Sequence, residues 1–148
     1  MTVRNYQATD YLKIEKLWKK TGIYIVERGD TAGIIKRCND LGGQFLVMED
    51  PDSDNIIGTS WMTFDGRRVL LHHFAIEPSF QGTGLGRKLA LRSIEFAREK
   101  QCPMKLEVHQ ENVAAINLYK SLGFKVFEDY DVYMLLDPAA GTGSPVEK

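Results

Sequence analysis

Gln81-Gly82-Thr83-Gly84-Leu85-Gly86-Arg87 decides how this chain reads. Before it lies an apolar run, Val69 to Ile76, closed by Glu77-Pro78. After it comes a stripe of Leu85, Leu89, Ala90, Ser93, Ile94 and Ala97 at helical spacing, predicting a helix from about Gly84 to Lys100. The local order is therefore strand, glycine loop, helix. Glycine permits close backbone approach and φ values that other residues avoid. A helix start adds unpaired N–H groups and the positive end of the helix dipole. Together they form an anion site suited to a phosphate or pyrophosphate, with Arg87 and Lys88 adding positive charge. A plain turn before a helix would use similar residues, so the loop alone is not diagnostic. Its spacing excludes two common phosphate grips. The dinucleotide fingerprint needs glycine where Arg87 stands, and the P-loop needs Gly-Lys followed by Ser or Thr, where this chain has Gly86-Arg87-Lys88.

Downstream, Met104, Leu106 and Val108 alternate with Lys105, Glu107 and His109 in a strand predicted from Pro103 to Val108. Period two gives that strand one apolar and one polar face. A central strand under helices would be apolar on both faces. The strand therefore lies at an edge or looks into a wet cleft, and the flanking helices favour the cleft. Asn112 then opens a helix reaching Leu122, with Gly123 as its stop. Tyr119 follows Asn112 by two turns on nearly the same face. Helix capping would explain Asn112, and a half-buried ring would explain Tyr119. Phe124 to Glu128 and Tyr130 to Leu136 read as two closing strands.

Upstream, Val3 to Tyr6 reads as a strand. Asp10 reads as an N-cap to a helix carrying Tyr11, Ile14, Leu17 and Trp18, stopped by Gly22. A second helix spans about Thr31 to Leu41, after Asp30 and before Gly42-Gly43. Phe45 to Met48 and Ile56 to Phe64 form a hairpin across Asp50 to Asn55, and Asp65-Gly66 turns the chain again. The order is βααβββαβαββ, which predicts a mixed sheet with helices on its faces.

The chain has 148 residues, 43% hydrophobic and 26% charged, which suits one soluble domain. That domain is expected over residues 1–137, with 138–148 as a flexible tail on its Pro, Gly and Ser content. A formal charge of -1 gives no global signal for nucleic acid or an anionic membrane. Cys38 and Cys102 make neither a disulfide framework nor a zinc site, and both read as small buried hydrophobes. No run is long enough to span a membrane and no signal-peptide pattern opens the chain, so a cytoplasmic location is expected.

The glycine loop and the Asn-to-Tyr helix together resemble the GCN5-related N-acetyltransferase (GNAT) family. Its acetyl-CoA loop pattern is filled by Gln81, Gly84 and Gly86. Its characteristic helix is matched by Asn112 to Phe124, with Tyr119 and Gly123-Phe124 in place. The two motifs follow in the family order. The resemblance covers about Thr2 to Asp137 and is strongest from Leu70 to Phe124. Leu106-Glu107-Val108, with Glu107 twelve residues before Tyr119, is similar to the ribosomal-protein alanine acetyltransferase branch. The segment Thr21 to Gly29, which helps form the acceptor site in this family, matches no single substrate class.

The resemblance implies a GNAT fold, α/β with a mixed sheet of about six or seven strands and about four helices. It implies an acetyl-CoA-dependent N-acetyltransferase with direct transfer to a primary amine, either a peptide N-terminus or a small molecule. It assigns cofactor binding to the backbone at Phe74, Ala75 and Ile76, to Gln81, Gly82, Thr83, Gly84, Leu85, Gly86 and Arg87, and to Asn112. An amine attacks only when neutral, so a base is needed, and Glu107 is the candidate, with partial burial expected to sharpen it. Tyr119, protonated near neutral pH, is the candidate acid for the leaving thiol. His72 and His73 are the second choice as base. Adjacent strand residues face opposite ways, so the two cannot easily share a metal, and no metal site is expected. The rivals are a non-catalytic acyl-CoA-binding module and a nucleotide-binding protein using the glycine loop. A monomer and a homodimer both remain open.

Overall fold

The computed structural model describes residues 1–139. In chain order the main elements are β1 (Thr2–Asn5), α1 (Tyr11–Thr21), α2 (Ala32–Asp40), β2 (Gln44–Asp50), β3 (Asn55–Phe64), β4 (Val69–Ile76), α3 (Leu85–Lys100), β5 (Met104–Leu106) and α4 (Val113–Ser121). Their types follow the predicted order up to α4. The five strands form one sheet in the order β1-β2-β3-β4-β5. The first three pairings are antiparallel, joined in part by tight turns. In the turn between β3 and β4, Asp65 accepts hydrogen bonds from the backbone amides of Arg68 and Arg67, which hold its carboxyl below the ordinary range. β4 and β5 run parallel, as a helical crossover through α3 requires.

Both faces of the sheet are buried, and β2 shows why. Leu46 and Met48 point into a core shared with Met62, Leu71, Leu89 and Phe96, under α3. Phe45 and Val47 point the other way, into a core with Ile14, Leu17, Trp18, Ile35 and Trp61, under α1 and α2. A strand covered on both sides carries an unbroken apolar run, as Phe45 to Met48 does. Some polar groups between these layers pair with each other: Ser60 and Ser93 hydroxyls lie 2.6 Å apart, and Trp18 Nε1 donates to Thr59 Oγ1 at 3.0 Å.

Several expectations are corrected. Asp10 holds the N-cap position of α1 as expected, but its side chain makes no cap bond to that helix. Its oxygens accept from Arg4 at 2.8 and 3.0 Å and from the Gln7 amide at 2.8 Å. Burial opposes its charge, but Arg4 outweighs that and holds the carboxyl below its usual range. α2 is capped by Thr31, which accepts from the Ile34 amide at 3.3 Å. β5 is shorter than predicted and is the edge strand, so its polar face is that of an edge rather than of a central cleft strand.

The two closing strands are not formed among the described residues, so the sheet has five strands rather than six or seven. Phe124 is still tied to α4 through its amide to the Tyr119 carbonyl at 3.0 Å. Beyond it Phe127, Tyr130, Val132, Tyr133 and Leu135 are exposed. Alternating apolar residues supply strand propensity, but a strand exists only when a partner pairs with it, and the edge available at β5 is three residues long. The predicted tail falls almost wholly outside the described residues. No helix among the described residues is long and apolar enough to cross a membrane.

Candidate functional site

The site begins where β4 leaves its neighbour. Pairing between β4 and β5 covers Val69 to Leu71 against Met104 to Leu106 and then stops. From His72 onward β4 pairs only with β3. On that side the register slips. Thr59 faces Ala75 and Trp61 faces His72, so Ser60 alone stands opposite both His73 and Phe74. This is a β-bulge, a device that bends a strand and redirects its groups. His73, inside the bulge, has φ +44°. The Phe74–Ile76 backbone expected to hold the cofactor thus borders an opening that β5 does not fill.

The glycine loop follows this strand end. Gln81 turns back, its Nε2 donating to the Ile76 carbonyl at 2.9 Å, and Thr83 Oγ1 donates to the Phe80 carbonyl. Gln81 thus fastens the loop to the strand end and Thr83 fastens it to the turn before it, rather than reaching outward. Gly82 and Gly84 take φ of +74° and +86°, a region open to glycine and costly for a branched side chain. Gly84 begins α3 with no capping side chain and no acidic residue in the first turn. The first intrahelical bond shown there runs from the Lys88 amide to the Gly84 carbonyl. The preceding amides are free of intrahelical partners, as helix geometry dictates. Leu85 packs into the core, and Arg87 donates to Ser121 Oγ on α4 at 3.1 Å. These exposed amides, the open glycines and the absence of nearby acid fit a pyrophosphate.

Tyr119 lies across the opening. Its ring packs edge-on against Phe74 at 6.0 Å and against Phe124 at 5.6 Å. Only 7% of it is exposed, and burial pushes its hydroxyl up to about 12. No hydrogen bond to that hydroxyl is formed among the described residues. Asn112 caps α4, accepting from the Ala115 amide at 3.2 Å, so its carbonyl oxygen is already used.

Glu107 follows the last residue of β5 and is exposed. The partial burial expected of it is absent, because an edge strand leaves its outer face in water. It lies close enough to His72 to favour that ring's charged form, as does Asp30. The two histidines part company. His72 is exposed, with its Nε2 2.8 Å from Thr63 Oγ1. His73 is buried between Trp18 and Trp61, with ring distances of 4.4 and 5.4 Å. Its Nε2 lies 3.0 Å from Asp30 Oδ2. Sequence reasoning left the Asp30–His73 pairing unread, since the two are far apart along the chain and neither sits in a motif. Cys38 is half-buried and burial pushes its thiol up, as suits a packing residue. A groove lined by Ile94, Ala97, Met104, Leu122 and Phe124 lies elsewhere and holds none of these side chains.

Desolvation lowers both histidines below their ordinary value, His73 inside the core and His72 where its ring lies against Thr63 and Trp61 of β3 although the residue is exposed. Glu107 and Asp30 oppose the shift at His72; at His73 Asp30 opposes it, while His72 and Arg28 add to it. A lowered folded value means that the unfolded chain takes up the proton first. Stability from these rings is complete above about pH 6.5 and is lost as pH falls below it. Calorimetric unfolding between pH 7.5 and 5.5 should therefore show a falling Tm, with a smaller fall in His73→Asn. An equal fall in that variant would remove His73 from the account.

The chain also matches known proteins. The pattern of the acetyltransferase (GNAT) family covers residues 9–124. A mycothiol acetyltransferase of Thermobifida fusca is 35% identical over 99 residues, which are 60% of this chain. The chain spans only 31% of that protein's length. Among solved structures, a putative acetyltransferase of Salmonella typhimurium with its cofactor acetyl-CoA is 26% identical, with a TM-score of 0.69 over 84% of this chain and 79% of that one. The ribosomal-protein-S18-alanine N-acetyltransferase of Escherichia coli shares the fold at 21% identity, with a TM-score of 0.70 over 84% of this chain and 77% of that one. With its bulged fourth strand, its glycine loop and a match over most of its length, this chain belongs to the acetyltransferase (GNAT) family.

Proposed function

We propose that the chain is an acetyl-CoA-dependent N-acetyltransferase that passes an acetyl group directly to a primary amine, with Glu107 as base and Tyr119 as acid. One observation carries the reading. Where β4 and β5 separate, Phe74 at the open edge packs against Tyr119, the glycine loop follows the same strand, and Glu107 follows the last β5 residue paired with β4, which supports a shared site. Acetyl-CoA supplies the activated acyl thioester. The uncapped amides at the start of α3 hold its pyrophosphate, and the open edge of β4 pairs with its amides as an added strand would. A backbone N–H of Phe74 to Ile76 donates to the thioester oxygen.

An ammonium cannot attack. α-Amino groups lose their proton near pH 8 and lysine near 10.4. Glu107, exposed and in water, accepts that proton directly or through one water. Tyr119, held protonated by burial, donates to the departing sulfur. The acceptor is a peptide N-terminus or a small amine. The Leu106-Glu107-Val108 spacing supports the first, and the Thermobifida fusca relative, named for mycothiol, supports the second.

The test is release of free CoA thiol from acetyl-CoA against N-terminal peptides, lysine peptides, polyamines and amino sugars. Turnover with one class names the acceptor. CoA binding with no turnover on any class favours the non-catalytic module. A separate prediction concerns the loop. Placing a branched side chain at a φ of +86° costs about 1–3 kcal/mol, so Gly84→Val should weaken CoA binding about tenfold or more by calorimetry. Gly86→Ala should stay within about twofold, since the added methyl meets Leu118 and Ile76 at ordinary contact, 3.6 and 3.7 Å.

A further inference from the structure

His73 is the most constrained side chain in the sheet that the proposed chemistry does not use. Its φ of +44° lies in the left-handed region, which non-glycine residues rarely occupy inside a strand. Such a backbone persists only where its surroundings over-determine it. Here three other elements hold it. From β3, Thr59 Oγ1 donates to the His73 carbonyl at 2.7 Å, and the Trp61 ring lies 5.4 Å away. From α1, the Trp18 ring packs at 4.4 Å, and its Nε1 donates to the same Thr59 oxygen at 3.0 Å. From the α1–α2 connection, Asp30 Oδ2 approaches Nε2 to 3.0 Å. The imidazole is 10% exposed; its Nε2 meets Asp30 at ion-pair distance without hydrogen-bond geometry, and its Nδ1 is buried without a hydrogen-bond partner. A ring so enclosed cannot meet an incoming amine, so its role is not that of a base.

What it joins is more telling. Asp30 ends the connection that begins at Gly22. The near part of that connection is fastened by the Ile23 and Tyr24 amides to the Trp18 carbonyl at 3.0 and 3.2 Å. The middle, Ile25 to Gly29, is exposed. The far part is fastened at Asp30, whose carbonyl accepts from the Tyr11 hydroxyl at 3.2 Å and whose carboxylate meets His73. The residue after His73 is Phe74, whose ring contacts Tyr119. One bulge therefore has the exposed connection on one side and the proposed acid on the other.

We infer that the Asp30–His73 pair is a positioning device that fixes the 22–31 connection against the β4 bulge and so sets the acceptor side of the site relative to the acyl-donor edge. The inference rests on the proposed transfer reaction for its kinetic consequence, but not for its structural one. Asp30→Asn removes the charge at constant shape. His73→Asn removes the ring while asparagine tolerates the left-handed backbone. Each variant should raise the acceptor KM about tenfold and leave the acetyl-CoA KM and the CoA Kd within about twofold. The double variant should be no worse than either single one, because both remove one link. Hydrogen exchange of the 22–31 amides should rise about fivefold or more in each variant, with α3 unchanged.

Unchanged acceptor KM with a lowered Tm would overturn the inference and leave a purely structural pair. Multiplying effects in the double variant would overturn it too, since the residues would then act independently. If wild type turns over no amine, the reaction assignment fails by itself. The exchange experiment then still decides whether the pair fixes the connection.

Discussion

Glu107→Gln should lower kcat by about 10²- to 10⁴-fold, the usual contribution of a positioned base. The substitution keeps the shape and removes the proton acceptor. Because Glu107 is exposed and follows the edge strand, folding stability should change by less than about 0.5 kcal/mol. The acetyl-CoA KM should hold, since the loop proposed to bind the pyrophosphate leads into α3 and not β5. The deficit should also shrink with rising pH. Above about pH 8 for an α-amine, or about 10.4 for a lysine, the acceptor is already neutral and the base has less to do. A stopped assay of thiol release across pH 6.5 to 10 reads all of this. An unchanged kcat would remove Glu107 from the mechanism and pass the role to His72, the exposed member of the histidine pair, which lies near Glu107.

Tyr119→Phe should cost about 10²-fold in kcat at a nearly unchanged Tm. The two effects separate because the ring and the hydroxyl do different things. The ring packs against Phe74 and Phe124, and phenylalanine keeps that packing. The hydroxyl has no hydrogen bond among the described residues to lose. Tyr119→Ala, in contrast, should cost about 3–5 kcal/mol of stability, as truncation of a buried aromatic does. Burial raises the hydroxyl to about 12, so the wild-type rate profile should show no loss of activity near pH 10, where an ordinary phenol ionises. A limb near pH 10 would mean that Tyr119 is solvated in the working enzyme. A full-rate Phe variant would mean that the thiol leaves without its help.

Glu107, Tyr119 and the glycine loop are legible in the sequence, and the reason is local. Gln81 to Arg87 lies between a strand and a helix, so glycine spacing and helix-terminus physics act within seven consecutive residues. Asn112 and Tyr119 share one helix, whose periodicity fixes their common face. The elements up to α4 follow from apolar period, caps and turns, and their boundaries fall within a few residues of expectation. Where local pattern had two outlets, it misled. Asp10 stands at the N-cap of α1, yet its carboxylate pairs with Arg4 instead of the helix amides. The closing strands had the right alternation and no partner to pair with.

What the sequence by itself determined is the class of fold, the glycine loop at a helix start and the family pattern, because each rests on contacts between near neighbours in the chain. Only the tertiary structure decided which histidine is buried, that Glu107 stands in water and that β4 bulges at His73. It also joined Asp30 to a strand 43 residues away. A β-bulge exists only relative to a neighbouring strand, and burial only relative to the layers packed above. Neither is written in any window of the chain, since both are set by how the sheet and its two helical layers close around Trp18 and Trp61.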